Sequence, residues 1–291
     1  MRIFSTTKEM NSISDEIRKQ GRSIALVPTM GYFHEGHLRL MREGRKRGDV
    51  LVVSLFVNPT QFGEDEDYGS YPRDFSRDKE LAEGVGVDIL FMPSAEEMYP
   101  AGYQTFVEVE RLTETMEGEF RPGHFRGVTT VVAKLFNIVK PHCAIFGEKD
   151  FQQLVVIRRM AEDLNMGIKI IGIPTVRDGD GLAMSSRNAY LTMDQRKAAL
   201  SLNRSLHEAA ELFRSGERNS GRIIEAVKRV IKSERGVTLQ YVEIRDAETL
   251  EEIEVIDGRA VIACAIKVGE VRLIDNAILD DLVKNLNSMA K

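Results

Sequence analysis

Ser23-Ile24-Ala25-Leu26-Val27-Pro28-Thr29-Met30-Gly31-Tyr32-Phe33-His34-Glu35-Gly36-His37 is the stretch whose reading decides the fold. A short apolar run passes through a glycine-bearing turn into a helical stretch over residues 37–47, and a second apolar run, Val50-Leu51-Val52-Val53-Ser54-Leu55-Phe56, follows. Apolar runs of strand length separated by a helix make a βαβ unit, with strands buried on both faces of a parallel sheet. The pattern then repeats. A helix over residues 75–85 precedes the run Asp88-Ile89-Leu90-Phe91-Met92, and Val132, Leu135, Phe136 and Val139 recur at helical spacing until Pro141 stops them before Cys143-Ala144-Ile145-Phe146. Leu154, Ile157, Ala161 and Leu164 mark one more helix, and residues 168–173 a fifth strand. Residues 1–175 are therefore expected to form one α/β domain, a doubly wound, Rossmann-like parallel sheet.

The character changes after Pro174. Long charged helices are expected over residues 193–213 and 221–233, followed by strand-like runs at 239–244, 260–266 and 271–274. A smaller α+β domain over residues 176–291 fits this pattern, joined through the turn formers Arg177-Asp178-Gly179-Asp180-Gly181.

With 291 residues and 43% hydrophobic content, the chain can bury the cores of two modest domains. Its 40 basic and 45 acidic residues leave a net charge of -5, without the basic excess that a nucleic-acid binder carries. Cys143 and Cys264 lie far apart in apolar runs and have no metal-ligand spacing, so they read as buried reduced thiols. No apolar run approaches the ~20 residues of a membrane span, and the first residues lack a secretory leader. A cytoplasmic protein with neither nucleic-acid nor membrane partners is expected.

His34 and His37 are two of only five histidines. Placed together in a first helical turn they would project from one face, at the end of a strand and the start of a helix, where free backbone N–H groups and the helix dipole favour an anion. A triphosphate suits that place, and imidazole N–H donors could stabilise the charge that grows during displacement. Capping and packing is the plainer reading of the same pair. Zinc is disfavoured, since His34-Glu35-Gly36-His37 is one residue short of HExxH and no third ligand is evident, so no metal ligands are assigned. Neither GxxxxGK[ST] nor GxGxxG occurs.

Three more polar clusters follow strands or the domain junction. Phe56-Val57-Asn58-Pro59-Thr60-Gln61-Phe62 leaves the second strand with two amides, which suit a polar substrate or an Asn-Pro turn. Gly147-Glu148-Lys149-Asp150-Phe151-Gln152-Gln153 leaves the fourth strand candidate with a lysine for phosphate, or is a solvated helix start. Met184-Ser185-Ser186-Arg187-Asn188 offers hydroxyls and a guanidinium suited to phosphate oxygens, or an N-cap cluster.

Together with Arg121-Pro122-Gly123-His124-Phe125-Arg126-Gly127-Val128, these motifs resemble the pantothenate synthetase family over most of the chain. The histidine motif alone would point only to the wider nucleotidyltransferase superfamily. The resemblance implies ATP-dependent condensation of (R)-pantoate with β-alanine through a pantoyl-adenylate, with Mg²⁺ accompanying ATP and a homodimeric assembly. It implies that His37 and His34 act on the phosphates with Lys149, and that residues 30–37, 147–150, Val176 and 184–187 bind ATP. Gln61 would contact pantoate and β-alanine, and Gln153 would hold pantoate. Tyr71 and Arg121 are weaker carry-overs, and His124 receives no role. The stretch 63–74, which contains Tyr71, is either a lid over the intermediate or a solvated loop. Tyr32-Phe33 is bulkier than the family pattern, and Pro141-His142-Cys143 departs from its usual acidic position. The competing functions are an adenylyltransferase that leaves AMP on its product and a nucleotide-binding module without catalysis.

Overall fold

In the computed structural model, which describes residues 1–64 and 66–280, the chain starts with strand β1 (Arg2–Phe4) and helix α1 (Thr7–Lys19). It continues through β2 (Ile24–Thr29), α2 (Glu35–Arg45), β3 (Val50–Leu55), α3 (Phe75–Gly84) and β4 (Ile89–Phe91). Two single-turn helices, α4 (Ala95–Met98) and α5 (Glu117–Phe120), lead to α6 (His124–Val139), β5 (Cys143–Gly147), α7 (Phe151–Asp163) and β6 (Lys169–Ile173). The six strands form one sheet in the order β1-β4-β3-β2-β5-β6, with every pairing parallel.

Successive strand residues point to opposite faces, and here both faces are covered. Leu26, Val52, Phe91 and Ala144 meet Met10 and Ile17 of α1 and Val132, Leu135 and Phe136 of α6. Ala25, Val27, Leu51, Val53 and Ile145 meet Leu38 and Met41 of α2 and Ala82 of α3. This double burial is why the strands read as continuous apolar runs.

The chain divides into two compact units, Met1–Glu148 with Gln152–Val176, and Lys149–Phe151 with Arg177–Lys291. Residues 281–291 of the expected second domain lie outside the described residues. In the second unit, α8 (Met193–Ala199), α9 (Ser201–Arg214) and α10 (Ser220–Lys232) precede an antiparallel sheet of β7 (Val237–Asp246), β8 (Ala260–Val268) and β9 (Val271–Ile278). Its core joins Leu202, Leu206, Ile223, Val227 and Ile231 of the helices to Ile244, Ile262, Cys264 and Ile266 of the sheet. The α/β first unit and α+β second unit have the expected fold classes. Cys143 and Cys264 are both free and buried.

Helices α1, α4 and α5 were not among the expected elements, and others differ as well. β1 was not expected, because three residues with Ile3 exposed carry no readable periodicity. α6 begins at His124, well before Val132, and includes part of the glycine-bearing segment. The single helix expected over residues 193–213 is two, breaking at Leu200 without any proline or glycine.

Candidate active site

β2 and β5 are the strands from which the chain winds outward in opposite directions, so the sheet has its topological switch between them. Their pairing ends at Leu26 and Ala144, while β2 runs on to Thr29. Pro28 lacks an N–H to donate and lies beyond that last β5 partner. Open α/β sheets bind ligands in such a crevice, outside the carboxyl ends of the strands.

Leaving β2, the backbone turns through left-handed conformations at Gly31 (φ 87°) and Tyr32 (φ 51°). A Cβ at Gly31 would sit 3.0 Å from Asp78 Oδ2 and 3.1 Å from Leu55 Cδ2, so a side chain there would be tight as well as strained in φ. Asp78 reaches the turn from α3. It is 1% exposed and accepts hydrogen bonds from Tyr32 N and Phe33 N, each 2.6 Å. Burial raises its carboxyl above the usual carboxylate range, against the opposing pull of those two N–H groups. The sequence reading missed Asp78. Its only local signal is an acid four residues before Ala82, on the buried side of α3.

His34 is the N-cap of α2, with extended backbone (φ -128°, ψ 175°), and His37 lies in the first turn. The two were expected in the same turn, and His34 instead stands immediately before it. The rings nevertheless meet, with centroids 4.1 Å apart and planes 37° apart. The His34 backbone N donates to His37 Nδ1 at 3.4 Å, so the proton of a neutral His37 ring sits on Nε2. Phe33 is fully buried, and its ring centroid is 5.6 Å from that of His37. Glu35 is exposed and pairs with Arg42.

Past β3, Pro59–Gln61 forms a 3-10 turn capped by Asn58, which is 1% exposed. Asn58 Nδ2 donates to Gln61 Oε1 and to Gly127 O, both 3.1 Å. Asn58 Oδ1 accepts from Tyr99 OH at 2.9 Å and Thr60 Oγ1 at 3.0 Å. Burial pushes the Tyr99 hydroxyl up to about 12, so it stays a donor. With its Oε1 held, Gln61 points Nε2 at Met30 Sδ, 3.2 Å away. Gln61 and Met30, from two of the sequence clusters, are thus in contact.

Behind Gln61 stands a second layer. His124 Nδ1 is 2.9 Å from Gln61 O, and its Nε2 is 3.1 Å from Arg121 Nη1. Because a carbonyl only accepts and a guanidinium only donates, Nδ1 carries the proton and Nε2 must be bare. A second proton would face Arg121. Burial, then the Arg121 charge, accordingly lower the His124 pKa to about 4. Arg121 also holds Glu66 in a bidentate pair at 2.7 Å and 2.7 Å. Burial works against ionisation of Glu66, but the hydrogen bonds and charge of Arg121 outweigh it and hold the pKa below its ordinary value. Within the 63–74 stretch Tyr71 is buried, with Phe62 5.9 Å from its ring, while Gly63, Glu64, Gly69, Ser70, Arg73 and Asp74 are exposed. Asp65 of that stretch lies outside the described residues. A cavity of about 150 Å³ lies beside Gln61, lined also by Phe106, His124 and Arg126.

Gly147 ends β5, Glu148 follows it, and half-buried Gln153 lies in the first turn of α7, all in the first unit with half-buried Val176. Lys149 and Asp150 belong to the second unit, with Lys149 Nζ 3.8 Å from Asp150 Oδ1. Asn276 of β9 donates to Lys149 O at 2.7 Å, and the neighbouring Asp275, 1% exposed at its side chain, binds Arg177 at 2.6 and 3.0 Å. Half-buried Met184 leads into Ser185, which caps a 3-10 turn over Ser186–Tyr190 and accepts from Arg187 N at 3.3 Å.

A doubly wound sheet whose switch-point turn carries paired histidines at a helix start, accompanied by an α+β unit, defines an α/β protein built to hold small ligands at the carboxyl edge of its strands. The family model for pantoate-beta-alanine ligase matches residues 2–278. The chain is 56% identical over 281 residues to a pantothenate synthetase of Geobacter sulfurreducens, covering 97% of this chain and 99% of that one. It is 57% identical over 282 residues to a pantothenate synthetase of Pelotomaculum thermopropionicum, covering 97% and 100%. The solved pantothenate synthetase of Thermus thermophilus superimposes with a TM-score of 0.91 at 45% identity, covering 95% of this chain and 99% of that one. A Francisella tularensis pantoate-beta-alanine ligase, solved in complex with beta-gamma ATP and beta-alanine, gives 0.78 at 35% identity, covering 96% and 98%. The chain belongs to the pantoate–β-alanine ligase family.

Proposed function

We propose that this protein condenses (R)-pantoate with β-alanine, using ATP and passing through a pantoyl-adenylate. The observation that carries the reading is the close, tilted His34–His37 pair at the start of α2, beside the turn that follows β2, with the Gln61 amide held against Met30. A pantoate carboxylate oxygen attacks the α-phosphorus of ATP and pyrophosphate leaves. The β-alanine amine then attacks the acyl carbon, and AMP departs with the C–O bond electrons. Neither step needs a protein nucleophile, only positioning and charge stabilisation.

In this reading, His37 Nε2–H and His34 donate to phosphate oxygens as charge builds there, and Lys149 adds a cation. Residues 30–37, 147–150, Val176 and 184–187 bind ATP, Gln61 contacts pantoate and β-alanine, and Gln153 holds pantoate. The first domain, residues 1–175, binds ATP and pantoate, and the second, 176–291, serves as a lid. Among the described residues no group of three or more His, Cys, Asp or Glu side chains could hold a metal ion. Mg²⁺ bound with ATP would be held mostly by the phosphates and would supply charge neutralisation there. A cytoplasmic homodimer belongs to the same reading. Among the described residues no helix is long and apolar enough to cross a membrane, and sedimentation at micromolar concentration reads the assembly.

The deciding test is pyrophosphate release from ATP and pantoate, with and without β-alanine. Pantoate-dependent ATP/pyrophosphate exchange without β-alanine, and free AMP only with it, are expected. AMP retained on the product would favour an adenylyltransferase. No pantoate-dependent exchange would leave only nucleotide binding.

A further inference from the structure

The acid that reaches the histidine-bearing turn from α3 has no part in the chemistry above. A carboxylate that is 1% exposed is costly unless its oxygens are satisfied, and Asp78 satisfies both on adjacent backbone N–H groups, Oδ2 on Tyr32 and Oδ1 on Phe33, each at 2.6 Å. Charge-assisted bonds of this kind are short and strong. They act where the backbone most needs restraint, because a left-handed Tyr32 is strained unless its surroundings over-determine it. Arg77, beside Asp78 on α3, stands 5.3 Å from the Tyr32 ring centroid, so two consecutive residues of one helix grip the same turn. The turn in turn sets the histidines. Phe33 goes wholly into the core and packs against His37, and the next residue, His34, caps α2 with its ring 4.1 Å from that of His37.

We propose that Asp78 is a positioning residue for the ligase reaction, clamping the Tyr32 and Phe33 amides so that His34 and His37 are presented together at the start of α2. The inference rests on the reading that those histidines act on the phosphates of ATP. It also accounts for the bulky Tyr32-Phe33 pair, since one ring is pinned under Arg77 and the other is anchored in the core.

A double-mutant cycle tests it. Asp78→Asn keeps one acceptor but turns an N–H₂ toward one of the two N–H donors, and should lower kcat of pantoate-dependent exchange on the order of 10²-fold, as small misplacements of catalytic groups do. The KM for ATP should change by much less. In a His37→Ala background the same substitution should cost less than about 2-fold, because the two act through one arrangement. Asp78→Ser, smaller and still an acceptor, is read in the same cycle in case Asp78→Asn does not fold. Ala82→Gly, which loosens the same helix without touching the turn, should lower the thermal midpoint yet keep kcat within about 3-fold, a far smaller change than for a misplaced catalytic group. Full multiplicative losses in the double mutant would overturn the positioning role while leaving the histidine reading intact. So would an Ala82→Gly enzyme as slow as Asp78→Asn. Near-normal turnover of His37→Ala would overturn the histidine reading, and this inference with it.

Discussion

Gln61 is oriented by neighbours whose partners are themselves committed. Its Oε1 is held by Asn58, whose own oxygen is held by Tyr99 and Thr60, and its Nε2 rests on a thioether sulfur. Sulfur is a weak acceptor, so a pantoate oxygen can replace it with a gain in hydrogen-bond strength. Gln61→Ala should therefore raise the KM for pantoate roughly tenfold, about the 1.4 kcal/mol of one good hydrogen bond. An unchanged pantoate KM and kcat would remove Gln61 from the site. Asn58→Asp makes a subtler case: it sets a carboxylate oxygen against the Gln61 and Gly127 oxygens that Nδ2 now serves, so it should weaken pantoate use without removing Gln61. Steady-state kinetics with pantoate varied reads both. Gln61 stood out in the sequence as an amide shortly after a strand, a signal that suited an Asn-Pro turn as well, and its role came from the family resemblance. Asp78 did not stand out, since it lies far along the chain from the two amides it binds and no local pattern announces a contact made only by folding.

At the scale of elements, α6 shows why a reading by residue type stops short. Glycine ordinarily weakens a helix, yet Gly127 lies inside α6 because the helix must press on the 3-10 turn that carries Gln61. A Cβ there would be 2.3 Å from Thr60 O and 2.6 Å from Gln61 N. Gly127→Ala should thus cost about 1–3 kcal/mol of stability, as forced overpacking does, and impair pantoate use together with it. A thermal melt and a pantoate titration on one preparation check this, and a variant that is less stable yet kinetically normal would uncouple α6 from the site. In the second unit, Thr192 and Gln195 form a capping box at the start of α8. Thr192→Ala should cost about 1 kcal/mol, seen as a lower denaturant midpoint. Most of the longer strands and helices were legible because burial imposes period and run length over many residues, but the 13-residue α1 was missed. β1 was too short for either, and the α8–α9 break at Leu200 changes backbone direction without a residue type that marks it.

For the molecule as a whole, a doubly wound sheet was readable from the alternation of apolar runs and helices, while its switch point between β2 and β5 came from the strand order of the structure. A consequence for stability follows from the layer behind Gln61. His124 must be neutral to donate to Gln61 O while accepting from Arg121. Its folded pKa is about 4 and the ordinary value is 6.5, with burial and Arg121 lowering it and Glu117 and Glu66 opposing. The unfolded chain therefore binds the proton first as pH falls, so stability should decline from about pH 6.5 and the loss should be complete near pH 4, amounting to up to about 3 kcal/mol. Glu66, whose folded pKa is lowered, acts in the same direction, since its stabilisation is lost as acid protonates it. Asp78, whose folded pKa is raised, acts in the opposite one. His124→Asn isolates the histidine, because the amide can still donate to Gln61 O but does not titrate. It should melt at a lower temperature than the parent at pH 7 and lose less between pH 7 and 4.5. Parallel melting curves for the two proteins across that range would show that His124 does not set the acid limit of this fold.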